Sequence, residues 1–213
     1  MSVPKLVYFG IFARAESTRM VLAHARALYD DERLSFEEFG VKKAAGEFTN
    51  GQVPVWIQDG VQYCESLAIL RFVGRQYGYY PPEYHDQWAC DSLVDWSNDF
   101  LGQVAKIVFF EKRFDSEGEK DFLEIVSKMT AYLAKKLSAH GKDFLIGDKI
   151  TIADFHVASI LFSATRNEGF AGGKAWCDKA KAVIAANSVV NGWHSRMEKQ
   201  LEEYLAVRPP APF

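Results

Sequence analysis

Val53-Pro54-Val55-Trp56-Ile57-Gln58-Asp59-Gly60-Val61-Gln62-Tyr63-Cys64-Glu65-Ser66-Leu67 decides how the first part of the chain folds. Pro54–Ile57 and Val61–Cys64 are short runs rich in β-branched and aromatic residues. Asp59-Gly60 between them tolerates the two positive φ angles of a tight hairpin, so two antiparallel strands are predicted. Ser66 then opens a helical run with Leu67, Leu70 and Val73 on one side, and Gly78 supplies the stop.

Upstream, Lys5–Phe9 reads as a strand and Glu16–Leu28 as a helix, with Met20, Val21, His24, Ala27 and Leu28 on one face. Arg33–Phe39 alternates at Leu34 and Phe36 and reads as a second strand, followed by an irregular segment up to Pro54. A strand–helix–strand start implies a parallel pair with a right-handed crossover. With the hairpin it gives a small mixed sheet with helices on its faces. Leu6–Phe12, preceded by Lys5 and followed by Ala13-Arg14-Ala15, imitates a secretion signal. Its apolar run is at the short end and contains Gly10, so it reads as a buried first strand.

Downstream, Gly78-Tyr79-Tyr80-Pro81-Pro82 breaks the pattern and divides the chain into residues 1–80 and 84–213. Helical periodicity dominates the second part, over Tyr84–Arg113, Glu119–Ala139, Ile152–Thr165 and Val189–Leu205. Thr151-Ile152-Ala153-Asp154 is a capping box, with Ile150 and Phe155 at the hydrophobic-staple positions. The tail, Arg208-Pro209-Pro210-Ala211-Pro212-Phe213, cannot be helix and is expected to lie extended on the surface.

A chain of 213 residues buries roughly 70% of its unfolded surface without disulfides or metals. The 25 basic and 28 acidic residues give a net charge of −3 with neither sign in a block, which argues against nucleic acid as a partner. No stretch approaches the ~20 apolar residues of a membrane span. Cys64, Cys90 and Cys177 are widely spaced, which fits free thiols in a reducing, cytoplasmic setting. The histidines at 24, 85, 140, 156 and 194 are scattered without metal-ligand spacing, so no metal is expected. Cys64 neighbours Glu65, whose carboxylate disfavours a thiolate.

One constellation gathers at the carboxyl edge of the predicted sheet, where α/β folds place ligand crevices. Tyr8 stands near the end of the first strand and Arg14 leads into the first helix. Val53-Pro54 opens the third strand. Glu65-Ser66 stands at a helix start, where free amides attract an anion. Taken singly, each has a simpler explanation: a core aromatic, a surface charge, an edge-strand proline and an N-cap.

The run Tyr8-Phe9 through Arg14-Ala15-Glu16-Ser17-Thr18-Arg19-Met20 resembles the first strand and helix of cytosolic glutathione S-transferases. Gln52-Val53-Pro54 and Glu65-Ser66-Leu67-Ala68-Ile69-Leu70-Arg71 resemble their glutathione-site motifs, and Gly147–Asp154 resembles their C-terminal-domain capping motif. The Arg14–Ser17 run, Asp31-Glu32-Arg33 and the Arg208–Phe213 tail look most like the sigma class. The resemblance implies an α/β thioredoxin-like N-terminal domain with a mixed four-stranded sheet, an all-α C-terminal domain, and a homodimer. It implies that Tyr8 donates its hydroxyl to the glutathione sulfur, with Arg14 near the sulfur or the carboxylates. Val53 pairs by backbone with the cysteinyl moiety beside a cis Pro54. Glu65 and Ser66 hold the γ-glutamyl group, Lys43 meets the glycine carboxylate, and Gln52 adds a polar contact. Phe9, Ile11, Val104, Val108, Phe109 and Lys112, with the tail, are expected to line the groove for a hydrophobic electrophile.

The sequence departs from the family pattern at three positions. Phe39 replaces a common Trp, removing an indole donor to the glycine carboxylate and shifting work to Lys43. Gln103 stands where relatives place an Asp that crosses the dimer to the γ-glutamyl ammonium. Asn50 occupies the place of an aromatic dimer key. Conjugation of glutathione to electrophiles is the expected function. Glutathione-dependent prostaglandin isomerisation and binding without turnover remain the alternatives.

Overall fold

The structure, a computed structural model, describes residues 2–213. β1 (Lys5–Phe9), β2 (Asp30–Leu34), β3 (Val55–Gln58) and β4 (Val61–Tyr63) form one sheet in the order β2-β1-β3-β4. β1 and β2 are parallel, while β1–β3 and β3–β4 are antiparallel. Asp59 and Gly60 take φ 49° and 79°, the positive pair that the hairpin reading demands. α1 (Ala13–His24) joins β1 to β2, and α3 (Ser66–Gln76) follows β4, completing a thioredoxin-like unit.

Three expectations in this part need correction. β2 ends at Leu34, and the stretch expected to be strand and then irregular contains α2 (Phe36–Ala44). A local cap decides it: Ser35 Oγ accepts the Glu38 N–H at 3.1 Å, and the Ser35 N–H donates to the Glu38 carboxylate at 2.7 Å. α1 begins at Ala13 rather than Glu16 and ends at His24, so Leu28 is exposed rather than on a buried face.

The rest of the chain is helical: α4 (Tyr84–Ala105), α5 (Ser116–His140), α6 (Ile152–Thr165), α7 (Gly173–Ala185), α8 (Ser188–Gln200) and α9 (Glu202–Val207). The helix expected over Tyr84–Arg113 changes to a π-helical turn at Lys106–Phe110, and the expected Val189–Leu205 helix is two helices, α8 and α9. α7 is an addition, with Trp176, Cys177, Ala180 and Ile184 on its inner face. Every residue of α6 is buried, the pattern of a helix enclosed on all sides. Among the described residues no helix is long and apolar enough to cross a membrane.

The tail is extended but not superficial. Ala211 and Phe213 are buried. Its three prolines exclude helix, but they leave carbonyls free, and the fold uses several of them.

Side chains alternate along β1. Val7 faces a small cluster with Leu34, Phe48 and Val55. Leu6 and Tyr8 face the main core, which continues through α1 and α3 into α6 and the helical domain. Tyr8 therefore points toward the junction of the two layers.

Candidate active site

β1 and β3 pair at Val7 and Val55, so the next residues, Tyr8 and Pro54, leave the pair at the same end. The Val53–Pro54 bond is cis. The Tyr8 ring is almost completely buried at 4% exposure, and the Arg19 guanidinium lies 5.9 Å from its centroid. Burial pushes the phenol's pKa upward. The Arg14 backbone N–H, which faces the phenol oxygen, and the charges of Arg14 and Arg19 pull it partly back. The phenol is thus held as a protonated donor at neutral pH.

Arg14 itself, in the first turn of α1, is exposed. Arg19, one turn further, has no exposed surface, and sequence reasoning gave it no role. Its Nη1 donates to the Ile11 carbonyl at 2.7 Å and its Nη2 to the Phe9 carbonyl at 3.3 Å. Its Nε is shared by the two Asp31 oxygens at 3.1 and 3.2 Å. The side chain therefore binds the turn that follows Tyr8 to β2.

Glu65 precedes α3 with φ 69°, a left-handed conformation uncommon outside glycine and costing of order 1–3 kcal/mol. Its side chain is exposed. No side-chain bond caps the α3 start, so Ser66, buried as the first helical residue, is not spent as an N-cap. This removes the simplest alternative explanation of Ser66 and leaves the α3 start open to an anion.

Phe39 and Lys43 lie on α2, with the Lys43 ammonium 5.6 Å from the Phe39 ring centroid. Lys43 also runs past Gly51, where a Cβ would sit 3.6 Å from Lys43 Cε. Phe9 packs between Tyr8, Phe36 and Phe39, with centroids 5.3, 4.7 and 5.2 Å away. Phe36 is mostly exposed, and the sequence reading assigned it to a strand.

The expected groove residues divide. Ile11 and Phe109 are half-buried, and Phe109 stands 6.2 Å from the Phe213 ring. Lys112 is exposed with φ 50°. Val104 and Val108 are inside the core, so they do not form an open wall. Gln103 is exposed on α4, where it lines a separate cleft of about 250 Å³ with Lys106, Glu111, Arg113 and Asp121. No other expected site residue lines that cleft. Among the described residues no group of three or more His, Cys, Asp and Glu side chains is arranged to hold a metal.

Residues 4–75 match the glutathione S-transferase N-terminal domain, and residues 98–208 match the glutathione S-transferase C-terminal domain. The chain belongs to the glutathione S-transferase family. Glutathione S-transferase 4 of Caenorhabditis elegans is 34% identical over 76% of this chain and 81% of its own length. A Nu-class transferase structure from Haemonchus contortus is 28% identical, with TM-score 0.81 over the whole of both chains. A Pi-class transferase structure from Onchocerca volvulus shares the fold with TM-score 0.81, 22% identity, and 97% and 94% coverage. The family is thereby fixed, while the class names around this transferase extend beyond sigma.

Proposed function

We propose that this transferase activates glutathione as a thiolate through Tyr8 and adds it to hydrophobic electrophiles. The observation that carries the reading is the buried, protonated phenol of Tyr8, held at the same sheet end as the cis Val53–Pro54 bond. A free thiol titrates near 8.5, and lowering that by about two units requires about 2.7 kcal/mol. A charge-assisted hydrogen bond from the phenol supplies roughly 1.5–3 kcal/mol. The α1 start, which has no side-chain cap, and the nearby arginines supply the remainder. No general base is needed, because the thiol proton is lost to water before the attack. The sulfur then forms the new bond with its lone pair while the electrophile's leaving group, or its π electrons in an addition, takes the displaced pair.

The α3 start with Ser66, together with Glu65, suits the γ-glutamyl carboxylate and ammonium. Lys43 and Gln52 suit the glycine end, and the Val53 backbone suits the cysteinyl amide. Phe9, Phe109 and Ile11 form the apolar side. The reading includes a glutathione-binding unit at residues 1–80, a helical unit at 84–213, and a homodimer in which Gln103 serves the neighbouring subunit. The Arg14–Ser17 run and the Arg208–Phe213 tail support a sigma-like assignment within the family.

The test is titration of the thiolate absorbance of bound glutathione, with steady-state conjugation of a generic aryl halide. Tyr8→Phe raises the apparent thiol pKa by about 1–2 units and lowers kcat roughly in proportion. An unchanged titration and rate overturns the role of Tyr8. Glutathione binding without thioether formation by the wild-type protein overturns the transferase reading.

A further inference from the structure

The C-terminal segment returns from α9 and crosses the beginning of α1. Arg208, whose side chain is 2% exposed, donates from Nη1 to Glu16 Oε1 at 2.8 Å. Its Nη2 donates to the carbonyls of Phe162 at 3.2 Å and Arg166 at 2.9 Å, and its guanidinium lies 4.1 Å from the Phe12 ring centroid. At the other end, a Phe213 main-chain oxygen accepts the Phe12 N–H at 2.8 Å, and the Phe213 ring has no exposed surface. In the middle, the Asn167 amide donates to the Ala211 carbonyl at 2.7 Å. The segment is gripped along its length, and it meets the β1–α1 turn at Phe12 twice.

That turn is strained where the tail holds it. Ala13 has φ 31°, and α1 begins with no side-chain cap. Such a backbone persists only when its surroundings over-determine it. Here the surroundings are the Phe213 main-chain oxygen and Arg208 on Phe12, and Arg19 on the Phe9 and Ile11 carbonyls. Glu16, with no exposed surface, links the two arginines. Its Oε1 accepts from Arg208, and its Oε2, which has no hydrogen-bond partner, faces Arg19 Nη1 at 3.8 Å. The residue after Ala13 is Arg14, whose N–H faces the Tyr8 oxygen. The placement of that amide, and with it the electrostatics at the Tyr8 oxygen, therefore depends on the Phe12–Ala13 turn.

We propose that Arg208–Phe213 is a positioning clasp for the catalytic phenol, holding the Phe12–Ala13 turn so that Tyr8 presents its hydroxyl proton to the glutathione sulfur. The inference rests on the reading of Tyr8 given above. It gives Arg208 and Phe213 a positioning role more than 190 residues away in sequence from the group they serve. It differs from a wall for the second substrate, because its effect falls on the thiol.

Phe213→Ala and Arg208→Met test it, with Tyr8→Phe as reference and Phe213→Leu and Arg208→Lys as conservative partners. The readouts are the thiolate titration of bound glutathione, kcat, and KM for glutathione. With the clasp loosened, the apparent thiol pKa rises by about one unit, which leaves about threefold less thiolate near pH 7 and approaches tenfold less at a pH well below the bound thiol's pKa, where the assays are run, with a matching loss in kcat. KM for glutathione stays within about twofold, because the loss falls on the reacting sulfur rather than on binding. Phe213→Leu returns most of the effect. If Phe213→Ala and Arg208→Met do not fold, Asn167→Ala decides by the same titration, since it removes the grip on Ala211, along with one bond from the Gly169 N–H, and leaves Arg208 and Phe213 in place, and it shifts the thiol in the same direction. Folded, glutathione-binding variants that titrate as wild type overturn the clasp. If Tyr8→Phe also titrates as wild type, the role of Tyr8 fails first.

Discussion

Asp154→Asn measures how much of the helical domain hangs on one carboxylate. Asp154 is fully buried and accepts four hydrogen bonds. Oδ1 takes the Leu145 N–H and the Trp193 indole N–H, both at 2.9 Å. Oδ2 takes the Thr151 N–H at 2.9 Å and the Thr151 hydroxyl at 3.1 Å. Burial pushes this carboxyl's pKa upward and the four donors oppose it. All four partners donate, so the pocket is built for a carboxylate. An asparagine must turn its NH₂ toward one pair. Facing Thr151, it orphans one backbone N–H, since the hydroxyl can rotate to accept. Facing Leu145 and Trp193, it orphans two donors. Each buried orphan costs about 1–3 kcal/mol, and the surviving bonds lose their charge assistance, about 1 kcal/mol each.

The cheaper orientation therefore destabilises by about 3–5 kcal/mol, which for a chain of this size lowers Tm by roughly 6–20 °C. Asp154→Ala leaves all four donors unpaired and opens a cavity, so it destabilises by about 5 kcal/mol or more. Urea and thermal unfolding followed by circular dichroism give both numbers. An Asn variant within about 1 kcal/mol of wild type, or one as damaged as Ala, would refute the donor count and with it the claim that Asp154 ties the α5–α6 loop, α6 and α8 together.

Two further outcomes follow from buried groups elsewhere. Burial lowers the pKa of His156 and His194 to about 4, and neither ring nitrogen of His156 has a partner. The unfolded histidines titrate near 6.5, so the unfolded state binds the protons first as pH falls. Stability is full above about pH 6.5 and declines toward pH 4 by about 3 kcal/mol per histidine. Urea unfolding at several pH values checks this, and His156→Leu should flatten the slope; an unaltered slope removes His156 as its source. Gly74→Ala drives a Cβ into Ile152 Cγ2, where α3 meets α6. It destabilises by about 1–3 kcal/mol. The loss should be less than additive with Ile152→Ala in a double-mutant cycle, and strict additivity would show that the two residues do not touch.

Local signals carried much of the fold. The Asp59-Gly60 turn, the first strand at Lys5–Phe9 and the Ile152–Thr165 helix all stand where the sequence places them. The α2 helix was also legible, in Ser35 and Glu38 at capping-box spacing, but the alternation through Leu34 and Phe36 competed with it. Phe36 shows why alternation misled: it is mostly exposed and packs on Phe9 from a helix. What could not be read were contacts without local periodicity. Arg19 looks like any helical arginine until the fold buries it against Phe9 and Ile11. The bond from Arg208 to Glu16 spans 192 positions. Prolines in the tail announce that it is extended, but say nothing about where Phe213 goes.

The chemistry of the candidate site follows from the same division. A net charge of −3 offers an anionic tripeptide no attractive global field. Attraction must come from dipoles and charges fixed at one place. In the thioredoxin-like domain, α2 closes its own start with Ser35 and Glu38, whereas α1 and α3 begin with no side-chain cap. Those two starts follow Tyr8 and Glu65, the residues that the family resemblance assigns to the sulfur and the γ-glutamyl group. A capped start satisfies its first amides internally, while an open one keeps them for a ligand. The cost of leaving α1 open appears in the φ of Ala13, and the tail and Arg19 offset it from outside the helix. On the proposed reading, local sequence specifies the groups for the ligand, whereas contacts across almost the full length of the chain hold the turn beside one of them.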